Sequence, residues 1–127
     1  NITIRKNLSP DLPEVIIDKS KIEQVFTNVM MNALDALPEA GELSIASRFA
    51  AEPGWLEIEF RDNGCGIPGT DIGKIFDPFF STKGPKGTGL GLSVSYGIIR
   101  QHGGRIEVGS EAGRGTAITI YFQINNT

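Results

Sequence analysis

At 127 residues, with 39% hydrophobic and 21% charged residues, the chain has the length and composition of one globular domain with its own core, which excludes a disordered segment. A formal net charge of −3 offers no basic face to a nucleic-acid polymer, so an anionic ligand has to be held by local geometry, and a small phosphorylated molecule fits that better. One cysteine (Cys65) and one histidine (His102) provide neither an internal disulfide nor a zinc constellation; no apolar run approaches the roughly 20 residues of a membrane span; and the opening NITIRKNLSP does not read as a secretory signal, all of which suits a reducing cytosol.

In chain order, residues 1–6 alternate apolar Ile2 and Ile4 with polar neighbours, and after a proline-marked loop comes the run Val15, Ile16, Ile17. Both read as short strands. Asp18 or Ser20 caps the next element, Ser20 and Glu23 having the spacing of a capping box. Ile22, Val25, Phe26, Val29, Met30, Ala33, Leu34 and Leu37 then recur at spacings of three and four, the apolar face of a helix that Pro38 and Gly41 end. The same helix carries a polar stripe, Gln24, Asn28, Asn32 and Asp35, about 140° around from that face. Asparagine is a poor helix former, so two of them one turn apart point to a ligand or metal rather than to an accidental solvated face.

Residues 42–49 and 55–61 alternate as two strands of a hairpin turning through Glu52-Pro53-Gly54, with Leu43, Ile45 and Phe49 on one inner face and Leu56, Ile58 and Phe60 on the other. The second strand delivers Asp62 to a glycine turn, Asn63-Gly64-Cys65-Gly66, where its carboxylate either reads a ligand or closes an Asx-type turn on its own loop. Residues 71–75 suit a short helix. Residues 77–88 lose periodicity and hold Pro78, Pro85, Lys83, Lys86 and the pair Phe79-Phe80, as a functional lid does. Residues 90–101 form a second amphipathic helix with Leu90, Val94 and Ile98 inward and Gly103-Gly104 as its stop; His102 complements the dipole there. Residues 105–109 and 116–124 close the chain as strands, the last with Ile118, Ile120, Phe122 and Ile124 on one face. One sheet with its helices on one face is the economical packing, and the hairpins make the sheet mixed or antiparallel rather than doubly wound.

Eight of the sixteen glycines lie within residues 62–91, where backbone must come close to something else. Loop amides beside a helix N-terminus make an anion site, and Gly89-Leu90-Gly91 leads directly into the second helix. Neither a Walker lysine loop nor a Rossmann fingerprint follows a strand here.

Taken together, NVMMNALDAL, DNGCGIP, IFDPFFSTK and GTGLGLSVSYGIIRQHGG, in this order and at these separations, resemble the N box, first glycine box, F box and second glycine box of sensor histidine kinases. The resemblance covers nearly the whole chain. It implies the Bergerat fold of the GHKL superfamily, an α/β (α+β) two-layer sandwich with a mixed, mostly antiparallel sheet of about five strands and about three helices on one face. NALDAL with FFSTK is similar to the nitrogen-regulation branch.

Carried over by position, the resemblance makes Asn32 the ligand of Mg²⁺ and sets Asn28 beside the phosphates of ATP. Asp62 accepts from the adenine amino group, Gly64, Gly66 and Ile67 shape the base pocket, and Thr116 supports Asp62 through water. Gly87, Thr88, Gly89, Leu90, Gly91 and Leu92 cradle the triphosphate and hinge the lid, and Lys83 reaches the γ-phosphate. Asp35 faces the nucleotide where many family members have a basic residue, so a phosphate contact from that helix is missing.

The resemblance implies a kinase that presents the γ-phosphate of Mg-ATP to a histidine on a separate dimerisation domain, as the first step of two-component signalling, with a response regulator downstream. The phosphoacceptor helix is expected outside residues 1–127, since His102 lacks the acidic neighbour of the acceptor motif. The domain is expected to be cytoplasmic and monomeric by itself, without direct membrane or nucleic-acid contact. Competing readings are a GHKL-type ATPase, an anti-sigma-like serine kinase and a domain that only binds nucleotide. The ATPase needs a glutamate where Asn28 stands, and an amide is no general base.

Overall fold

The computed structural model describes residues 3–8, 17–37, 41–64, 66, 75–76, 91–111 and 113–124. Five strands and two helices follow in the order β1 (Thr3–Leu8), α1 (Lys19–Ala36), β2 (Glu42–Phe49), β3 (Trp55–Asp62), α2 (Gly91–Gln101), β4 (Arg105–Glu111) and β5 (Gly115–Gln123). They build one sheet in the order β1-β2-β3-β5-β4. Strands β1 and β2 are parallel, as a connection through a whole helix allows, and every other pair is antiparallel. The expected mixed, mostly antiparallel five-stranded sheet is thus present, with two helices among the described residues; the short helix expected over 71–75 lies outside them except for Ile75, which sits in a turn.

The apolar periodicity of α1 sets its packing. Ile22, Val25, Val29 and Ala33 are buried, and Phe26, Met30, Leu34 and Leu37 flank them against the same core. They meet Leu43 of β2, Leu56 and Phe60 of β3, and Ile118, Ile120 and Phe122 of β5, with the Phe26 and Phe60 rings 5.7 Å apart. Each such side chain taken from water contributes about 1.5–3 kcal/mol, so this layer and not helix propensity holds α1 in place. The other face of the sheet is polar. Arg48 pairs with Glu57 at 2.9 Å, Arg61 with Glu59 at 3.1 Å, and the Arg105 guanidinium lies 4.3 Å from the Tyr121 ring centre and 5.3 Å from that of Trp55. Arg105 Nε is 3.1 Å from Glu107 Oε2 but off the N–H axis, so it pairs by charge without a hydrogen bond.

Several expectations are corrected. Asp18 caps α1, its carboxylate accepting from Lys21 N–H at 3.2 Å, because the helix starts one residue before Ser20 and leaves no place for a Ser20–Glu23 box. Of the strand expected over 15–17, Ile17 is described and lies outside any strand. Phe49, at the far end of β2, is 55% exposed, although Leu56 across the hairpin is buried. On α2 the inward stripe is Leu92, Ser95, Ile98 and Ile99, and Val94 is 39% exposed. Both α1 and the sheet pack on α2, and that double contact rotates its buried face one residue from the stripe through Leu90, Val94 and Ile98.

Gly103 ends α2 at φ +70, with Gly103 N–H bonded to Arg100 O and Gly104 N–H to Ile99 O, the paired bonds of a Schellman stop. His102 does more than sit at the dipole. Its Nδ1 lies 2.8 Å from Ile98 O and its Nε2 accepts the Asp18 N–H at 3.0 Å, so the neutral ring is protonated on Nδ1 and ties the start of α1 to the end of α2.

Candidate nucleotide-binding site

Chain connectivity brings the candidate residues to one end of the sheet. β2 begins at Glu42, six residues after α1 ends, and Leu43 lies opposite Asp62. The carboxyl end of α1, the end of β3 and the start of β5 therefore share that edge, Thr116 being the register partner of Asp62 on its other side. β4 begins at the opposite edge, with Arg105 across from Tyr121, so α2, which leads into β4, points its N-terminus back toward Asp62. A helix N-terminus concentrates partial positive charge and uncovered amides at the same place.

Asp62 is 7% exposed, turned inward in the alternation that buries Leu56 and Phe60. Its Oδ1 accepts from Gly64 N–H at 2.8 Å and from Thr116 N–H at 3.3 Å; among the described residues Oδ2 makes no hydrogen bond. The Asx turn is present: one oxygen closes it, which leaves the other as an acceptor of fixed direction. Burial raises the carboxyl pKa above its ordinary value, and the two amides offset that only in part.

Thr116 meets Asp62 directly through its backbone amide, and its hydroxyl lies 2.9 Å from Ser110 Oγ, which also donates to Gly115 O. Asn63 pins the turn from the other side: its Oδ1 accepts Glu42 N–H at 2.8 Å, and its own N–H reaches Glu42 O at 3.2 Å. Gly64 is buried and Gly66 adopts φ +74. Gly115 sits at φ +125, and a Cβ there would run into the carbonyl oxygen of Asp62. Gly115→Ala is expected to cost about 3 kcal/mol through backbone strain and to displace Asp62. Urea unfolding measures the first effect and nucleotide titration the second; an unchanged midpoint would show that β3 and β5 separate here without cost.

On α1, Asn28 and Asn32 are half-buried while Gln24, on the same stripe, is exposed, a contrast that a plain solvated face does not produce. Asn28 Nδ2 donates to Ser95 Oγ of α2 at 3.3 Å. Asp35 belongs to the last turn of α1, and Gly91 opens α2 with Leu92 packed against the core. Phe76, from the IFDPFF run, packs on the core and stacks with Tyr96, ring centres 5.4 Å apart. Ile67, Lys83, Gly87, Thr88, Gly89 and Leu90 lie outside the described residues, as does the lid expected over 77–88. A shallow concavity of about 690 Å³ lies at the same strand ends, lined by Glu42, Ser44, Arg61, Asp62, Asn63, Ser110, Arg114 and Thr116, with no described residue of α1 in its lining.

Sequence reading missed Asn63, Ser95, Ser110 and Gly115 as formers of the site. Ser95 had a signal in its position, a hydroxyl one turn from Leu92 and Ile98 in an otherwise apolar stripe. Gly115 and Ser110 had none, since only strand pairing brings them to Asp62.

A mixed sheet with helices on one face, and a buried strand-end carboxylate beside a glycine turn, belongs to the class of two-layer nucleotide-binding domains. Residues 17–126 match the family of histidine kinase-, DNA gyrase B- and HSP90-like ATPases, and the chain belongs to that family. It is 38% identical to the sensor histidine kinase ZraS of Escherichia coli K12 over 127 residues, which covers 99% of the chain and 26% of ZraS. The chain thus spans about a quarter of that relative. Among solved structures, the mycobacterial sensor histidine kinase MprB superposes with a TM-score of 0.84 at 30% identity, covering 96% of this chain and 81% of that one. Full-length ShkA, solved in complex with AMPPNP, superposes at 0.83 with 28% identity over 95% of this chain and 25% of its own. The domain is of the ATP-binding catalytic type found in sensor histidine kinases of two-component signalling.

Proposed function

We propose that this domain binds Mg-ATP at the Asp62 end of the sheet and donates the γ-phosphate to a histidine on a separate dimerisation domain of the same parent protein, which then serves a response regulator. The observation that carries the reading is the divided Asp62 carboxylate, one oxygen held by the Gly64 and Thr116 amides and the other left oriented, as an acceptor for the exocyclic amino group of adenine would have to be. Gly64, Gly66 and Ile67 shape the base pocket. Gly87 to Leu92 cradle the phosphates at the N-terminus of α2, and Lys83 approaches the γ-phosphate.

The half-buried amides of α1 fit a magnesium ion, since a neutral amide oxygen is a hard donor and Mg²⁺ is held mostly by substrate phosphates and water. Asn32 would be its protein ligand and Asn28 would lie beside the phosphates, with Asp35 one turn on as a negative neighbour rather than a phosphate contact. Bound there, the ion would neutralise phosphate charge, while the chain's own groups orient the nucleotide; phosphoryl transfer depends on such positioning. Asn28 offers no base for water, which favours transfer over hydrolysis. Among the described residues no helix is long and apolar enough to cross a membrane. A cytoplasmic position beside the dimerisation domain is part of the proposal.

The chain alone is expected to bind ATP without labelling itself, because both ring nitrogens of His102 are engaged within the fold. Incubation with γ-labelled ATP and the parent's dimerisation domain, added as a separate polypeptide, should put acid-labile label on the added domain alone. Label on the chain itself, or brisk phosphate release without a partner, would favour the serine-kinase or ATPase readings.

A further inference from the structure

Ser95 is fully buried in the middle of α2, on the face that Leu92, Ile98 and Ile99 pack inward. Neither packing nor propensity explains a serine there: alanine is the better helix former and carries no hydroxyl to desolvate. Its Oγ accepts from Asn28 Nδ2 across the α1–α2 interface. From this contact we infer that Ser95 is a positioning residue for nucleotide binding, acting through Asn28.

An unrestrained carboxamide on a helix presents its nitrogen or its oxygen with little preference. The bond to Ser95 Oγ holds the nitrogen end of Asn28 on α2 and turns its oxygen end away, which sets the chemistry that α1 offers to phosphate and its cation. The same bond links α1 to α2 one turn inside the start of α2, so the amide and the N-terminal turn of α2 move as one unit. This rests on the nucleotide site proposed above.

The test is calorimetric titration of the 127-residue chain with Mg-ATP. Ser95→Ala should leave the melting temperature unchanged or higher and weaken Mg-ATP binding about fivefold, the worth of one oriented hydrogen bond. Ser95→Cys, similar in volume but a weak acceptor, should weaken it similarly. Adding Ser95→Ala to Asn28→Ala should then cause no further loss, because the residue through which Ser95 acts is already gone. Parent-like affinity in Ser95→Ala, a fully additive double variant, or a Ser95→Ala chain that fails to fold would each overturn the assignment, the last by making the hydroxyl a stability element. A parent chain that binds no Mg-ATP at all would overturn the nucleotide site itself, a distinct result.

Discussion

Asn32→Ala is expected to weaken Mg-ATP binding by about a hundredfold, since removing a direct metal ligand costs at least what loss of its supporting contacts does. The fold should not suffer. Asn32 is half-buried on the stripe away from the core, and alanine raises helix propensity, so the melting temperature should stay level or rise slightly. Loss of binding with a stable fold separates a ligand role from a packing role, and calorimetry with and without Mg²⁺ separates the metal from the nucleotide. In the parent the ion should strengthen binding; in Asn32→Ala that gain should vanish. A variant that binds Mg-ATP as tightly as the parent would remove Asn32 from the metal site.

The second large effect belongs to Asp62. Asp62→Asn keeps an oxygen for the Gly64 and Thr116 amides but sets an NH₂ group where Oδ2 stood, opposing donor to donor against the adenine amino group. A site left with an unpaired buried polar group discriminates strongly, and a loss of about a hundredfold in ATP affinity is expected, together with collapse of the preference for ATP over GTP. Equal affinity of the parent for the two nucleotides would remove the case for this residue.

The same substitution should stabilise the empty domain at neutral pH. Burial raises the folded carboxyl pKa above its unfolded value, so the folded state binds the proton more tightly. The cost of the buried charge is fully present above the raised pKa and is relieved as pH falls through it toward the ordinary carboxylate value. Thermal unfolding of parent and Asp62→Asn should therefore show the variant ahead at pH 7 and the gap narrowing as the solution is acidified. A gap that widens on acidification would mean that the two backbone amides outweigh burial.

How much was legible in the sequence differs between kinds of residue. Local periodicity placed α1 within two residues of its ends and placed β2 and β3 nearly to the residue, because a face that must be buried recurs at 3.6 or 2 residues whatever it is buried against. The glycine turn after Asp62 and the paired asparagines were visible for a related reason. They break local rules, and a poor helix former in mid-helix, or a glycine cluster behind a strand-end carboxylate, needs an external cause.

The sequence by itself therefore determined α1, α2 and the five strands nearly to their ends, that the helices share one face of the sheet, and which polar residues are out of place for packing alone. Tertiary structure decided the rest. The buried face of α2 runs through Ser95 rather than Val94 because α2 packs against α1 and the sheet at once, and a helix's own periodicity cannot say which neighbours it will have. Phe49 is exposed while Leu56 across the hairpin is buried, a difference that the alternation of the two strands cannot carry. Only strand pairing brings Gly115 and Thr116, more than fifty residues along, against Asp62, and only the packing of two helices turns a serine and an asparagine 67 residues apart into one hydrogen bond. Periodicity is a property of neighbours in the chain, whereas the direction of a carboxylate or an amide is set by atoms distant in sequence.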